Sequence, residues 1–401
     1  MNLKTALKLT TRNASHAIGT FNHHNLNKLN KLNAPRKYLA AGAFLALSAV
    51  ALPASATTWY NPAPTPVIGS TVINVKNMGA MGNGANDDTA AFQAAVNALP
   101  SSGGTIVVPN GTYMINGLEG ITLKSHTRLS MQGSASLNEI PNSSERTWVV
   151  KVWNVNNVEI EGGHIVGDRA KHEGTAGQWG YGLNIEGSNA VYVHDINISN
   201  CFGDGMLVGG TGSGSSVVVS YGVTLNRVTS TNNRRQGMTI GPVTQLYVDN
   251  STFSDSNGLA PQAGIDIEPQ TQGNVLQVRI EDSTLSGNVG NGLEMHANVS
   301  GVVLTGSTLQ NNQGYGVFDY GADNTTITSN NISQNYLFGV DMAGNTNNVN
   351  IDNNDIIWNG DAWFYAHNES IFTKGWDPRD ITIESSTWDI GQSGNTISPQ
   401  L

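Results

Sequence analysis

Seven times between residues 182 and 343 a glycine is followed by apolar, variable, apolar and variable positions. The copies are Gly182-Leu-Asn-Ile-Glu, Gly205-Met-Leu-Val-Gly, Gly237-Met-Thr-Ile-Gly, Gly264-Ile-Asp-Ile-Glu, Gly292-Leu-Glu-Met-His, Gly316-Val-Phe-Asp-Tyr and Gly339-Val-Asp-Met-Ala. Alternation of this kind puts every second side chain on one face of a strand. Successive glycines lie 23, 32, 27, 28, 24 and 23 residues apart, a period that predicts a solenoid. Each unit holds two or three β-rich runs, such as VYVHDINI, LYVDNSTF, LQVRIEDSTL and VVLTGSTL, separated by Asn, Gly and Ser and without helical periodicity. Three short strands per turn predict an all-β, single-stranded, right-handed parallel β-helix. Asn200, Asn233, Asn257, Asn288, Asn312 and Asn335 recur a few residues before the glycines and predict a turn ladder hydrogen-bonded from coil to coil.

The chain divides into a signal peptide (residues 1–56), a linker (57–70), an N-terminal cap with the first coils (71–140), and β-helix repeats ending in a C-terminal cap (141–401). The cap region carries one short helix, started by Asp87 or Asp88, with Ala91, Phe92, Ala95 and Val96 at helical spacing. Such a helix suits the open end of a stacked sheet. Trp358, Trp363 and Trp376 are expected to close the last coils.

Charge separates the first 56 residues from the rest. They hold Lys4, Lys8, Arg12, Lys28, Lys31, Arg36 and Lys37 and no acid, so the remainder carries 13 basic against 30 acidic residues. Arg36-Lys37 precede the apolar run YLAAGAFLALSAVALPASA, which ends in a small-x-small cleavage pattern near Ala56. The expectation is a secreted or periplasmic protein with no stable membrane anchor after cleavage. The acidity argues against a nucleic-acid partner. A single cysteine, Cys201, excludes an intrachain disulfide framework and reads as a buried core thiol.

NVKNMGAMGNGANDDTAAFQAAV and GGTIVVPNGTY, between Asn74 and Tyr113, resemble the N-terminal cap of the pectate-lyase-like superfamily of β-helix proteins. That opening is shared by polygalacturonase-related hydrolases, rhamnogalacturonase-like proteins, mannuronan C-5 epimerases, lyases and phage tailspikes. With the coils, the resemblance spans about residues 70–400. It implies the fold and a polysaccharide partner, and is nearly silent on the reaction.

The candidate site comes from the repeat. With the residues at +1 and +3 from each glycine turned inward, the +2 column reads Asn184, Leu207, Thr239, Asp266, Glu294, Phe318 and Asp341. The +4 column reads Glu186, Gly209, Gly241, Glu268, His296, Tyr320 and Ala343. Coils ~4.8 Å apart gather Asp266, Glu268, Glu294 and His296 into one outward square. Crowded carboxylates push one another's proton affinity up, as acid–base catalysis at a glycosidic bond requires. Asp266, Glu268 and Glu294 are therefore the expected catalytic acids, with Asp204 in support. No cofactor is required, although the same acids could hold Ca²⁺.

Around the square, Arg234, Arg235, His296, Tyr315, Tyr320, Trp179, Arg169 and His172 are expected to contact the glycan. The long intervals containing GGTGSGSS and SNGLAPQAG should emerge as loops walling a groove. FGDGMLVGG and RQGMTIGP look like the Gly-Asp-Asp and Gly-His-Gly coils of polygalacturonases, but only Asp204 matches the acidic pair and Gln236 replaces the histidine. Ala263 to Glu268 resembles the epimerase coil, with Asp266 matching, Ala263 in place of its tyrosine and Glu268 in place of its histidine. An elimination also lacks a lysine base, since none occurs between Lys171 and Lys374. The residues thus favour a glycoside hydrolase. A polysaccharide lyase or uronan C-5 epimerase is the first alternative, and a non-catalytic glycan-binding or surface β-helix the second. The polysaccharide and the oligomeric state stay open.

Overall fold

The computed structural model describes residues 60, 65–212, 214–269, 272–360 and 380–397. The expected signal peptide, Trp363 and Trp376 lie outside the described residues. Three parallel sheets wind into a right-handed β-helix. The first sheet has 12 strands, from Thr71–Asn74 to Trp388–Ser393, and the second has 12, from Asn83–Asp87 to Thr396–Ile397. The third has 10, from Ile121–Thr122 to Ile381–Ile383, and carries all seven glycine-led repeats.

Side chains of identical phase stack along the interior. Val193, Leu225, Val248, Ile280, Leu304, Ile327 and Ile351 are successive register partners in the first sheet and are each 0 % exposed. Each such burial is worth ~1.5–3 kcal/mol, which is how the rod holds without a disulfide. Cys201 is buried and unpaired, as expected. One inward position breaks the apolar rule. Asp319, at +3 of its repeat, is fully buried and accepts hydrogen bonds from Ala322 N and from the Thr346 hydroxyl.

The recurring glycine has a steric cause. A Cβ on Gly264 would lie 2.7 Å from the Gly292 carbonyl oxygen, and one on Gly292 would lie 2.6 Å from that of Gly316. The corner of each coil is too close to the next for any side chain.

The asparagine ladder exists with a different membership. Asn288, Asn312, Asn335 and Asn359 pass side-chain bonds of 2.8–2.9 Å from coil to coil while their backbone N–H groups donate in parallel. Asn233 joins by accepting from Cys201 N, and Asn288 accepts from Ser256 N. Asn200 and Asn257 are not rungs; each sits one residue off phase, where both bond Asn232 instead. A second ladder of Ser251, Ser283, Ser307, Asn330 and Asn354 runs at another corner.

Helix α1 (Thr89–Ala98) closes the N-terminal end, burying Phe92, Ala95 and Val96, with Phe92 edge-on to Tyr113. The two expected capping acids divide the work. Asp87 accepts from Thr89 N at 2.9 Å, whereas the Asp88 carboxylate ties down Met81 N and Gly82 N.

Candidate active site

The outward columns of the third sheet align as the repeat requires. Asn184, Leu207, Thr239, Asp266, Glu294, Phe318 and Asp341 are consecutive register partners. Glu186 pairs with Gly209, His296 with Tyr320, and Tyr320 in turn with Ala343.

Asp266, Glu294 and His296 form the centre. His296 Nε2 lies 3.3 Å from Asp266 Oδ1 and 3.2 Å from Glu294 Oε1. Side-chain exposure rises from 1 % at Asp266 to 12 % at Glu294 and 33 % at His296, so the imidazole is the group that faces solvent. Burial raises the proton affinity of the Asp266 carboxyl, and the Glu294 charge raises it further. Burial opposes charging His296, but its two carboxylate neighbours outweigh that and hold its proton well above the usual imidazole range. Asp266 Oδ1 and His296 Nε2 are both shielded from solvent without a well-aligned hydrogen bond. A proton shared among three groups, one of them presented outward, is the equipment of general acid catalysis.

A polar chain runs behind this centre. Gln236 Nε2 donates to Asp266 Oδ2, and the Gln236 carbonyl accepts from Thr239 Oγ1 and from Arg235 Nη1. Thr239 Oγ1 also reaches Asp204 Oδ2 at 2.7 Å. Arg235 bridges Asp204 Oδ2 at 3.0 Å and Glu268 Oε1 at 2.7 Å. On the far side, Asn291 Nδ2 holds Glu294 Oε2 at 2.8 Å. Gln236, Thr239 and Asn291 were not among the expected site residues, although Thr239 stands in the +2 column and Gln236 directly precedes a repeat glycine.

Several expected roles change. Asp204 is fully buried; burial pushes its carboxyl up to about 6 against the pull of Arg235 and Thr239, and it has no access to a glycan. Arg235 is an internal clamp rather than a sugar contact. Glu268 turns toward Arg235, so the close cluster is Asp266, Glu294 and His296, with donor atoms all within 4.8 Å. This mixed oxygen and nitrogen set differs from the three carboxylates expected for Ca²⁺, and suits a borderline ion better than a hard one.

Arg234, Arg169 and His172 also serve the fold. Arg234 donates to the carbonyls of Gly177, Phe202 and Thr175, and its guanidinium lies 4.1 Å above the Phe202 ring. Arg169 binds the carbonyls of Asn232 and Asn257, both at 2.6 Å. His172 is buried against Phe202 and bonded to Asp168 at 2.7 Å. Arg234 satisfies carbonyls of the inserted segment after Val166, Arg169 reaches from that segment to carbonyls of the coils, and His172 pairs with the Asp168 carboxylate within it.

Beside the centre, towards the N-terminus, lies a cleft of about 540 Å³. Trp148, Trp153 and Trp179 line it, with the Arg146 guanidinium 4.6 Å above Trp179. Arg235 and Glu268 line the cleft as well, and Arg235 joins it to the polar chain behind the centre. Gly210, Gly212 and Gly214 of the expected wall segment line one side, and Gln272 Nε2 donates to the carbonyls of Gly210 and Gly212. Towards the C-terminus, Tyr315, Phe318 and Tyr320 make an aromatic shelf, with Tyr315 stacked on Phe318 at 5.1 Å and Tyr320 half exposed.

Two families tile the chain: "Rhamnogalacturonase A/epimerase, pectate lyase-like" matches residues 72–257 and "Right handed beta helix region" matches residues 261–387. The chain belongs to the pectate-lyase-like superfamily of right-handed β-helix proteins. It is 28 % identical to the uncharacterised protein YclG of Bacillus subtilis, over 65 % of this chain and 48 % of YclG. It spans about half the length of the curated relatives it matches. Among solved structures, the A-module of mannuronan C-5 epimerase AlgE6 of Azotobacter vinelandii superposes with a TM-score of 0.58 at 17 % identity, covering 82 % of this chain and 100 % of that one. A family 28 exopolygalacturonase of Yersinia enterocolitica superposes with a TM-score of 0.52 at 13 % identity, covering 82 % and 78 %. These structural likenesses speak to the superfamily fold. No helix among the described residues is long and apolar enough to cross a membrane.

Proposed function

We propose that the protein is an exported polysaccharide-active enzyme that hydrolyses glycosidic bonds in the groove of the third sheet. The observation carrying this is the Asp266–His296–Glu294 centre, in which His296 Nε2 lies between two carboxylates while its ring is the most exposed of the three side chains. In the reaction, the centre gives a proton to the leaving glycosidic oxygen as that bond breaks. Water adds to the anomeric carbon, and Glu268, two residues on from Asp266 in the same coil and oriented by Arg235, takes the proton the water loses. Tyr315 and Tyr320 on one side and Trp179 on the other carry the flanking sugars.

Elimination or C-5 epimerisation of a uronate is the second reading, supported by the likeness to the AlgE6 A-module and by Asp266 in the matching coil. Both need a cation at the sugar carboxylate. Arg235, Arg234 and Arg169 are committed to the internal partners named above, which favours hydrolysis. Incubating the protein, from Thr57 onward, with a panel of neutral and acidic polysaccharides separates the two. Hydrolysis adds one water per bond cut and leaves saturated ends, elimination leaves unsaturated uronate ends that absorb in the ultraviolet, and epimerisation changes neither mass nor length. Turnover is expected to persist after dialysis against chelator.

A further inference from the structure

The glycines of the third sheet are of two kinds. Gly237, Gly264, Gly292 and Gly316 are sterically obligatory. Gly209 and Gly241, four residues past their repeat glycines, are not. Neither has a positive φ. A Cβ on Gly241 would meet no atom closer than 3.5 Å, and one on Gly209 would meet only the end of the Leu207 side chain at 3.3 Å and Gly241 Cα at 3.4 Å. The fold therefore does not ask for glycine at either place. The two are adjacent on consecutive coils, in the column that carries Glu186, Glu268, His296 and Tyr320 on the coils around them. Both line the cleft.

Their joint effect is a missing pair of side chains. Glu186 is the register partner of Gly209, and Glu268 N donates to Ile240 O at 2.9 Å, next to Gly241. The flat gap between the two glutamates is thus three coil steps, ~14 Å between backbones. Indole rings stand along its edge, and Trp153 is fixed there by a 2.6 Å bond from Nε1 to Asn184. The volume of about 540 Å³ lies within the usual range of ligand sites.

We propose that Gly209 and Gly241 are the floor of a sugar subsite that takes an uncharged pyranose, whose hydroxyls bond Glu186 and Glu268 at its two ends. A carboxylate-bearing sugar placed there would meet a glutamate in both directions along the column. Arg146 lines the same cleft, but its guanidinium lies 4.6 Å over the Trp179 ring, and Arg235 is tied to Asp204 and Glu268. The subsite rests on the groove being the glycan path, but it is read by binding and not by turnover.

Titration of the protein by tryptophan fluorescence, with neutral hexasaccharides (gluco-, manno-, galacto- and xylo-configured) and with oligogalacturonate and oligomannuronate, tests it. At least one neutral oligosaccharide is expected to bind and quench the cleft indoles, and the uronates at least about tenfold more weakly. Gly241→Leu should keep the parent melting temperature and lose at least about tenfold in that affinity. Gly241→Ala, whose Cβ makes only ordinary van der Waals contacts, should lose several-fold and guards against a folding failure of the larger variant. Uronates binding as tightly as any neutral sugar, no neutral oligosaccharide binding, or both glycine variants binding as the parent overturns the subsite. Glu294→Gln should bind normally while losing turnover, so failure of the hydrolytic reading leaves this result interpretable.

Discussion

Two clusters on this rod have nearly the same composition and opposite character. On the first sheet, His194 Nε2 approaches Glu159 at 3.2 Å and Glu161 at 3.6 Å, while its Nδ1 bonds Asp195 at 2.7 Å. On the third sheet, His296 stands between Asp266 and Glu294. In the first cluster arginines answer the acids: Arg128 lies 2.9 Å from Glu159, and Arg227 lies 2.6 Å from Asp195. In the second, among the described residues, no arginine or lysine forms an ion pair with Asp266 or Glu294. Two carboxylates and a histidine are therefore not in themselves a site. What marks one is charge left uncompensated by the fold, because that costs stability and persists where chemistry uses it.

The largest expected contrast is in turnover. Glu294→Gln should lower the rate by ~10²–10⁴-fold with little change in melting temperature, as loss of an acid–base partner does. Glu161→Gln, the corresponding change in the compensated cluster, should leave the rate unchanged. Equal rates for the two variants would erase the distinction.

Next comes stability. Arg128→Met strands the nearly buried Glu159 carboxylate and is expected to cost ~1–3 kcal/mol in urea unfolding. Arg235→Met strands Asp204 as well as Glu268 and should cost more, ~3–5 kcal/mol, since Asp204 has no exposure at all.

The pH dependence should have opposite signs. The bond from Arg227 lowers the Asp195 carboxyl to about 2, so its contribution is present above the ordinary carboxylate range and is lost as pH falls toward 2. Asp266 is raised by burial and by Glu294, so its contribution is present at low pH and is lost as pH climbs from the ordinary carboxylate range toward neutrality. Melting curves across pH should show Asp195→Asn removing part of the acid-limb loss, and Asp266→Asn removing part of the loss on approaching neutrality. Parallel shifts in both variants would contradict the comparison.

The columns were legible because two periods multiply. Alternation along a strand fixes which residues face out, and the coil spacing fixes which of them are neighbours. Asp266 beside Glu294, and His296 beside Tyr320, follow from those two facts alone. Residues outside the repeat were not legible. Arg169, His172 and Arg234 sit on or beside an insertion whose path has no period; backbone carbonyls claimed the two arginines and the Asp168 carboxylate claimed His172. Arg235 points from a corner, where one residue of phase decides whether a guanidinium faces a sugar or a buried Asp204. The same one-residue sensitivity displaced Asn200 and Asn257 from the ladder. Gln236 was read only as the replacement of a histidine and not as a site residue; it acts here by joining Asp266 to Thr239.

Mass analysis of the products that the parent and Glu294→Gln release from a glycan panel bears most directly on the whole. The parent should yield shorter chains, each cleavage having taken up one water, and the variant should yield none at equal protein. Unsaturated ends from the parent, or undiminished release by Glu294→Gln, would contradict a hydrolytic centre built on Asp266, His296 and Glu294.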